Sequence, residues 1–210
     1  LGGGEVLTQY SPRARNQLQF DAQVWDLGRY AGRTTGACFW LCLAAGLAER
    51  GPDVLAQAFP GTTPAHRAAG QLTAQGVQRC VDAGVRHSPL GVVAEALRTR
   101  FCGGEAAVLL RADMKNRIYP AFAGLDVRGP VRTEALYTRW VQKLATKEYA
   151  DELVVMSAAL EFGIRNAVIP FTQPTALAQW AIPSYGPDNA TVVVHMGNND
   201  LHYVYLSRES

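Results

Sequence analysis

A chain of 210 residues, 48% hydrophobic and 18% charged, holds enough apolar material for one domain with a substantial core. The net charge of +2 is dispersed, so no basic stripe points to nucleic acid. The longest apolar run, FWLCLAAGLA, is about half of the roughly 18 residues that a membrane span requires.

In chain order, residues 1–29 open with LGGGEVLTQYSPRARNQ and read as an irregular leader and arm, ahead of a domain at 30–208. Within that arm, FDAQVWDLGRYAG suits a short helix or an extended segment leading to the turn TTGA. CFWLCLAAGLAER is apolar on nearly all sides and predicts a central buried helix, stopped by Gly51-Pro52. PDVLAQAF places Pro at the first helical position, and AHRAAGQLTAQGVQRCVDAG and PLGVVAEALRTRF carry helical periodicity. EAAVLLRAD predicts a short strand. TEALYTRWVQKLAT predicts a helix behind a Thr133 cap, with Leu136, Trp140 and Leu144 at helical spacing. ADELVVMSAALEFG predicts another, with acidic residues in its first turn. The period then changes: NAVIPF, TVVVHM and LHYVYL are β-branched and aromatic runs, the last two joined by the hairpin-like GNND. Helices in front and a small sheet behind make an α+β arrangement, a helical lobe packed on a terminal sheet.

The four cysteines are Cys38, Cys42, Cys80 and Cys102. None forms a C-x-x-C pair, so zinc-ribbon and haem spacings are absent and no metal or cofactor is expected. Their number is too low for a disulfide scaffold, which favours a reducing, cytoplasmic compartment. Cys38 stands apart because it follows a flexible turn and opens a helix, where the dipole and free amides favour a thiolate. The alternative is a small buried hydrophobe. A thiol nucleophile needs a base. His66 and His87 have polar neighbours and read as surface residues, and His195 lies in the first arm of the terminal hairpin. His202 begins the second arm directly after the turn, where a strand can hold a side chain at the mouth of a cleft, and is the better base.

Taken together, these segments resemble the OTU (ovarian-tumour) family of cysteine deubiquitinases, especially its divergent viral and bacterial branches. The family's Asp-Gly-Asn-Cys-Phe-type turn corresponds to Thr35-Gly36-Ala37-Cys38-Phe39, followed by Trp40. Its helix-then-strand element corresponds to residues 149–171, and its strand bearing His and an aromatic to His202-Tyr203. Two positions depart: the aspartate three before the cysteine is Thr35, and the Asp or Asn two after the histidine is Val204. Asp200, two residues before His202 and on the same strand face, is the nearest substitute for the orienting acid; its other reading is a solvated turn residue. Asn198 and Asn199 are weaker candidates, and a Cys–His dyad, as in tymovirus endopeptidases, is the remaining alternative.

The resemblance implies a papain-type fold and acyl transfer by Cys38 with His202 as base, the oxyanion held by amides of the turn Thr35, Gly36 and Ala37. It implies Trp40 as a wall of a narrow substrate channel, against a core role, and Cys42 as packing. The expected partner is ubiquitin or a ubiquitin-like modifier in a host cytoplasm, and the expected state a monomer. A viral polyprotein endopeptidase and a catalytically silent ubiquitin-binding module stay open. The start at Leu1 and the leading LGGG fit excision from a polyprotein and equally a truncated chain.

Overall fold

The computed structural model describes residues 22–31, 36–72, 76–124, 134–170, 184–199 and 202–208. Thr35, Thr133, Asp200 and residues 1–21 lie outside them. The stretch read as a helix or an arm begins with strand β1 (Ala22–Trp25) and one turn of helix, α1 (Leu27–Tyr30). Asp26 is the hinge between the two and caps α1 with its own carboxylate, which accepts from the Arg29 amide at 3.3 Å.

The apolar run 38–50 forms α2 (Cys38–Arg50), in which Cys38 through Ala48 are all buried. A helix apolar on every side must be covered on every side. The cover on one side is α6 (Pro89–Cys102), started by the Ser88 cap and Pro89. On the other it is the sheet, where Gly46 removes the side chain that would otherwise meet Val194: a Cβ there would lie 2.4 Å from the valine Cγ1. Between α2 and α6 run α3 (Pro52–Ala58), α4 (Pro64–Gln71) and α5 (Gly76–Asp82).

EAAVLLRAD is not a strand. It forms a 3-10 turn, Val108–Leu110, that leads into α7 (Ala112–Gly124). The Leu109 carbonyl takes its hydrogen bond from the buried Tyr137 hydroxyl at 2.8 Å, so this backbone is satisfied without a partner strand. Tyr137 belongs to α8 (Glu134–Leu144), whose inward stripe is Tyr137, Val141 and Leu144. Of the expected stripe, Leu144 faces inward, whereas Tyr137 and Val141 take the places of Leu136 and Trp140, and Leu136 is exposed. Turning inward, Tyr137 buries a larger ring and finds an acceptor for its hydroxyl. Next comes α9 (Glu152–Phe162), capped by the Asp151 carboxylate and closed by Gly163 in the left-handed conformation.

The sheet consists of β1, β2 (Arg165–Pro170), β3 (Ser184–Tyr185), β4 (Val193–Asn199) and β5 (His202–Arg208), in the order β1-β5-β4-β2-β3. Only the β2–β4 pair is parallel. The expected terminal hairpin is β4–β5, in which Asn199 pairs with His202. β1, absent from the sequence reading as a strand, pairs antiparallel with β5 from Ala22↔Arg208 to Trp25↔Tyr205. Helices in front and sheet behind give the α+β architecture expected.

Candidate active site

Cys38 is the first residue of α2, entered through a turn in which Gly36 holds φ +71°. A Cβ on Gly36 would come within 2.5 Å of the Glu148 carbonyl oxygen, so both the backbone angle and the space require glycine here. The first-turn amides of a helix have no acceptor within it, and they surround the nucleophile position. Gly36 and Ala37 are buried in this turn.

His202 opens β5 and comes to the same place. The backbone amide of its neighbour Tyr203 donates to Cys38 Sγ at 3.4 Å, which ties the strand to the thiol. The His202 imidazole hydrogen-bonds both the Asp26 carboxylate and Cys38. Nε2 is the nitrogen on Asp26, 2.9 Å from Oδ1, which leaves Nδ1 as the ring nitrogen for the sulfur. Gly28 in α1 lets the three groups meet: a Cβ there would lie 3.1 Å from Cys38 Cβ and 3.3 Å from His202 Cε1.

The hydrogen bond that His202 donates to Asp26, then that with Cys38, raises the His202 pKa to about 10 against the opposing cost of burial. Burial pushes the Asp26 carboxyl up, but the His202 hydrogen bond and charge outweigh it and hold the group below its usual value. The two shifts agree: Asp26 is an anion and His202 a cation at neutral pH. An imidazolium beside a sulfur is the charge partner that a thiolate nucleophile uses.

Asp26 was not among the residues singled out from the sequence. The β1–β5 register explains its position. One step past the last pair, Trp25↔Tyr205, sets Asp26 beside Val204, on the face that also carries His202. Val204 is the position two after the histidine, where an acid would be expected, so the neighbouring strand supplies the carboxylate that β5 lacks. The missed signal was AQVW, a short run with a β-branched and an aromatic residue ending directly before an aspartate.

Other expected residues lie elsewhere. Trp40 is 1% exposed and packs against Phe39 and Phe101, ring centroids 5.1 and 5.5 Å away. It belongs to the core and walls no channel, because an N3-position side chain on an all-round buried helix points into its cover. Cys42 is fully buried one turn below Cys38, and burial raises its pKa far above the usual thiol value. His195 meets Arg50 Nη1 at 2.5 Å, at the other end of α2 from Cys38. Asn198 donates from Nδ2 to the His202 carbonyl at 3.3 Å, which steadies the strand and does not touch the ring. Among the described residues no group of three or more His, Cys, Asp or Glu is placed to hold a metal ion, and no helix is long and apolar enough to cross a membrane.

The geometry thus defines a Cys–His–Asp constellation, of the kind that serves thiol-dependent acyl transfer. The sequence matches no family model and no curated protein. Among solved structures it is similar to an h/ceOTUB1–ubiquitin aldehyde–UBC13~Ub complex, at 13% identity and a TM-score of 0.45 over 85% of this chain and 75% of that one. It is also similar to a ceOTUB1–ubiquitin aldehyde–UBC13~Ub complex, at 14% identity and a TM-score of 0.45 over 85% of this chain and 78% of that one.

Proposed function

We propose that this chain is a cysteine hydrolase of OTU type that removes ubiquitin or a ubiquitin-like modifier by cleaving after a Gly-Gly tail. The observation that carries the reading is the Asp26–His202–Cys38 line, with 2.9 Å between the carboxylate and the imidazole. The order of the turn, the helix–strand element and the His-aromatic strand supports the OTU assignment and, through it, the ubiquitin substrate. The burial of Cys38, 4% exposed, suits a substrate end that carries no side chains. In this reading the protein belongs to a viral or bacterial branch and works as a monomer in a host cytoplasm.

The chemistry follows from the charges. The Cys38 sulfur, its proton held on His202, attacks the carbonyl carbon of the terminal glycine. The oxygen becomes an oxyanion facing the turn amides of residues 36–38. As the C–N bond breaks, His202 gives its proton to the departing amine and a thioester remains. Water then attacks the thioester while His202 takes its proton; the carboxylate leaves and Cys38 is restored. Asp26 keeps the ring oriented and stabilises its charge in both halves.

Reaction of the purified chain with ubiquitin bearing a C-terminal alkyne, read by intact mass, tests this directly. The expected result is a single adduct that disappears in Cys38→Ala. No adduct from a chain shown to be folded overturns the ubiquitin assignment.

A further inference from the structure

Beside the turn that leads into Cys38, a 540 Å³ cleft is lined by Ala31, Ala37, Leu41, Glu95, Arg98 and Ala145, among others. Arg98, on α6, is 2% exposed, an unusual place for a permanent cation. Its Nε donates to the Leu144 carbonyl at 2.7 Å and its Nη2 to the Glu148 carbonyl at 3.3 Å. One guanidinium therefore holds the last residue of α8 and the middle of the connection to α9, and the fixed fork of its donors sets the spacing of the two carbonyls.

That connection presses on Gly36. A Cβ on Gly36 would meet the Glu148 carbonyl oxygen at 2.5 Å and Arg98 Nη2 at 3.2 Å. Gly36, the Glu148 carbonyl and the guanidinium thus form one contact stack, directly behind the residues that lead into Cys38. Glu95 on the same helix and the Cys102 and Cys38 sulfurs lie around it; burial lowers the Arg98 pKa and these neighbours oppose the shift.

We propose that Arg98 is a positioning residue: it clamps the 144–148 connection against Gly36 and so keeps the turn amides aimed at the reacting carbonyl. Within the proposed acyl transfer, on which this inference rests, Arg98 touches no substrate and acts through the backbone of the turn. Its effect falls on steps that build an oxyanion. A reaction of Cys38 that builds none is spared.

Three measurements on Arg98→Met separate these cases: hydrolysis of ubiquitin aminomethylcoumarin, the acylation burst with N-acetyl-Gly-Gly p-nitrophenyl ester, and alkylation of Cys38 by iodoacetamide. The expected result is a loss on the order of 10²-fold in kcat and in the burst rate, with KM and the alkylation rate within about threefold of wild type. Arg98→Lys, which keeps the charge and a single donor nitrogen, recovers part of the loss and serves in place of Arg98→Met if that variant does not fold. Equal losses in all three reactions, or none in any, overturn the proposal. A wild type that shows the ester burst but spares ubiquitin would overturn the ubiquitin reading alone, and the burst would still report on Arg98.

Discussion

Asp26 Oδ1 and His202 Nε2 lie 2.9 Å apart although 176 residues separate them in the chain. The same Oδ1 accepts the Arg29 amide, so the carboxylate is oriented by the helix it caps before the histidine arrives. An acid fixed by its own backbone orients an imidazole better than one on a free side chain, because little freedom remains to be lost. Replacing it should therefore separate orientation from charge.

Asp26→Asn keeps the shape and removes the charge. We expect a loss on the order of 10²–10⁴-fold in kcat/KM, since the amide still offers the ring an acceptor but no longer stabilises its positive charge. The His202 titration, followed by NMR, should fall from about 10 toward 6.5. Asp200→Asn should leave activity within about threefold, because both ring nitrogens already have partners in Asp26 and Cys38. A larger effect at Asp200 than at Asp26 would reverse this assignment.

The pair also links stability to pH. His202 is raised from 6.5 to about 10, so its contribution is complete below pH 6.5 and is lost as the pH rises through 10. Asp26 is held below 3.8, so its contribution is present above pH 3.8 and is lost as the pH falls through its folded-state value. Both side chains are partly exposed, at 42% and 32%, so solvent screening keeps the effect within about 1 kcal/mol. Thermal unfolding of wild type and Asp26→Asn should differ most between these limits, near pH 5 to 6, and converge toward pH 10.

Gly28→Ala should split activity from stability. Alanine favours the α1 turn by up to about 1 kcal/mol. Yet its methyl would crowd Cys38 Cβ at 3.1 Å and His202 Cε1 at 3.3 Å. We expect a Tm equal to or above wild type with activity reduced about 10-fold or more, as a small misplacement of reacting groups costs heavily. Unchanged activity would mean that the two side chains yield more easily than the packing implies.

Gly46→Ala probes the seat of α2 on the sheet. Its Cβ would lie 2.4 Å from Val194 Cγ1, and both residues are buried in the core. Overpacking of this kind costs about 1–3 kcal/mol. Adding Val194→Ala should return part of it, and urea denaturation of the four proteins in the cycle would measure the coupling.

The central helix and the terminal hairpin were legible because each announces itself over a short window: an apolar run between turn residues, and two β-branched runs around GNND, although Gly197–Asn199 of that link pair within the hairpin as the end of β4. Cys38 and His202 were legible for the same reason, each at the edge of such an element. Asp26 was not, because its meaning depends on a strand pairing that no local window contains. AQVW is only four residues long, and nothing nearby shows that β5 is its partner. Trp40 and Leu136 were misjudged through helical phase. Buried on all sides, α2 offers no open face for Trp40. In α8 the choice between Leu136 and Tyr137 was decided by a carbonyl acceptor at Leu109, remote in sequence.

The arrangement of β1 and β5 also has a temporal side. Cys38 precedes the strand that completes its surroundings by some 165 residues. While the ribosome is still translating the middle of the chain, Cys38 has neither the imidazole nor the Tyr203 amide beside it. Asp26 waits for the same strand. The Asp26–His202–Cys38 line therefore assembles only when residues 202–208 emerge and zip onto the first strand.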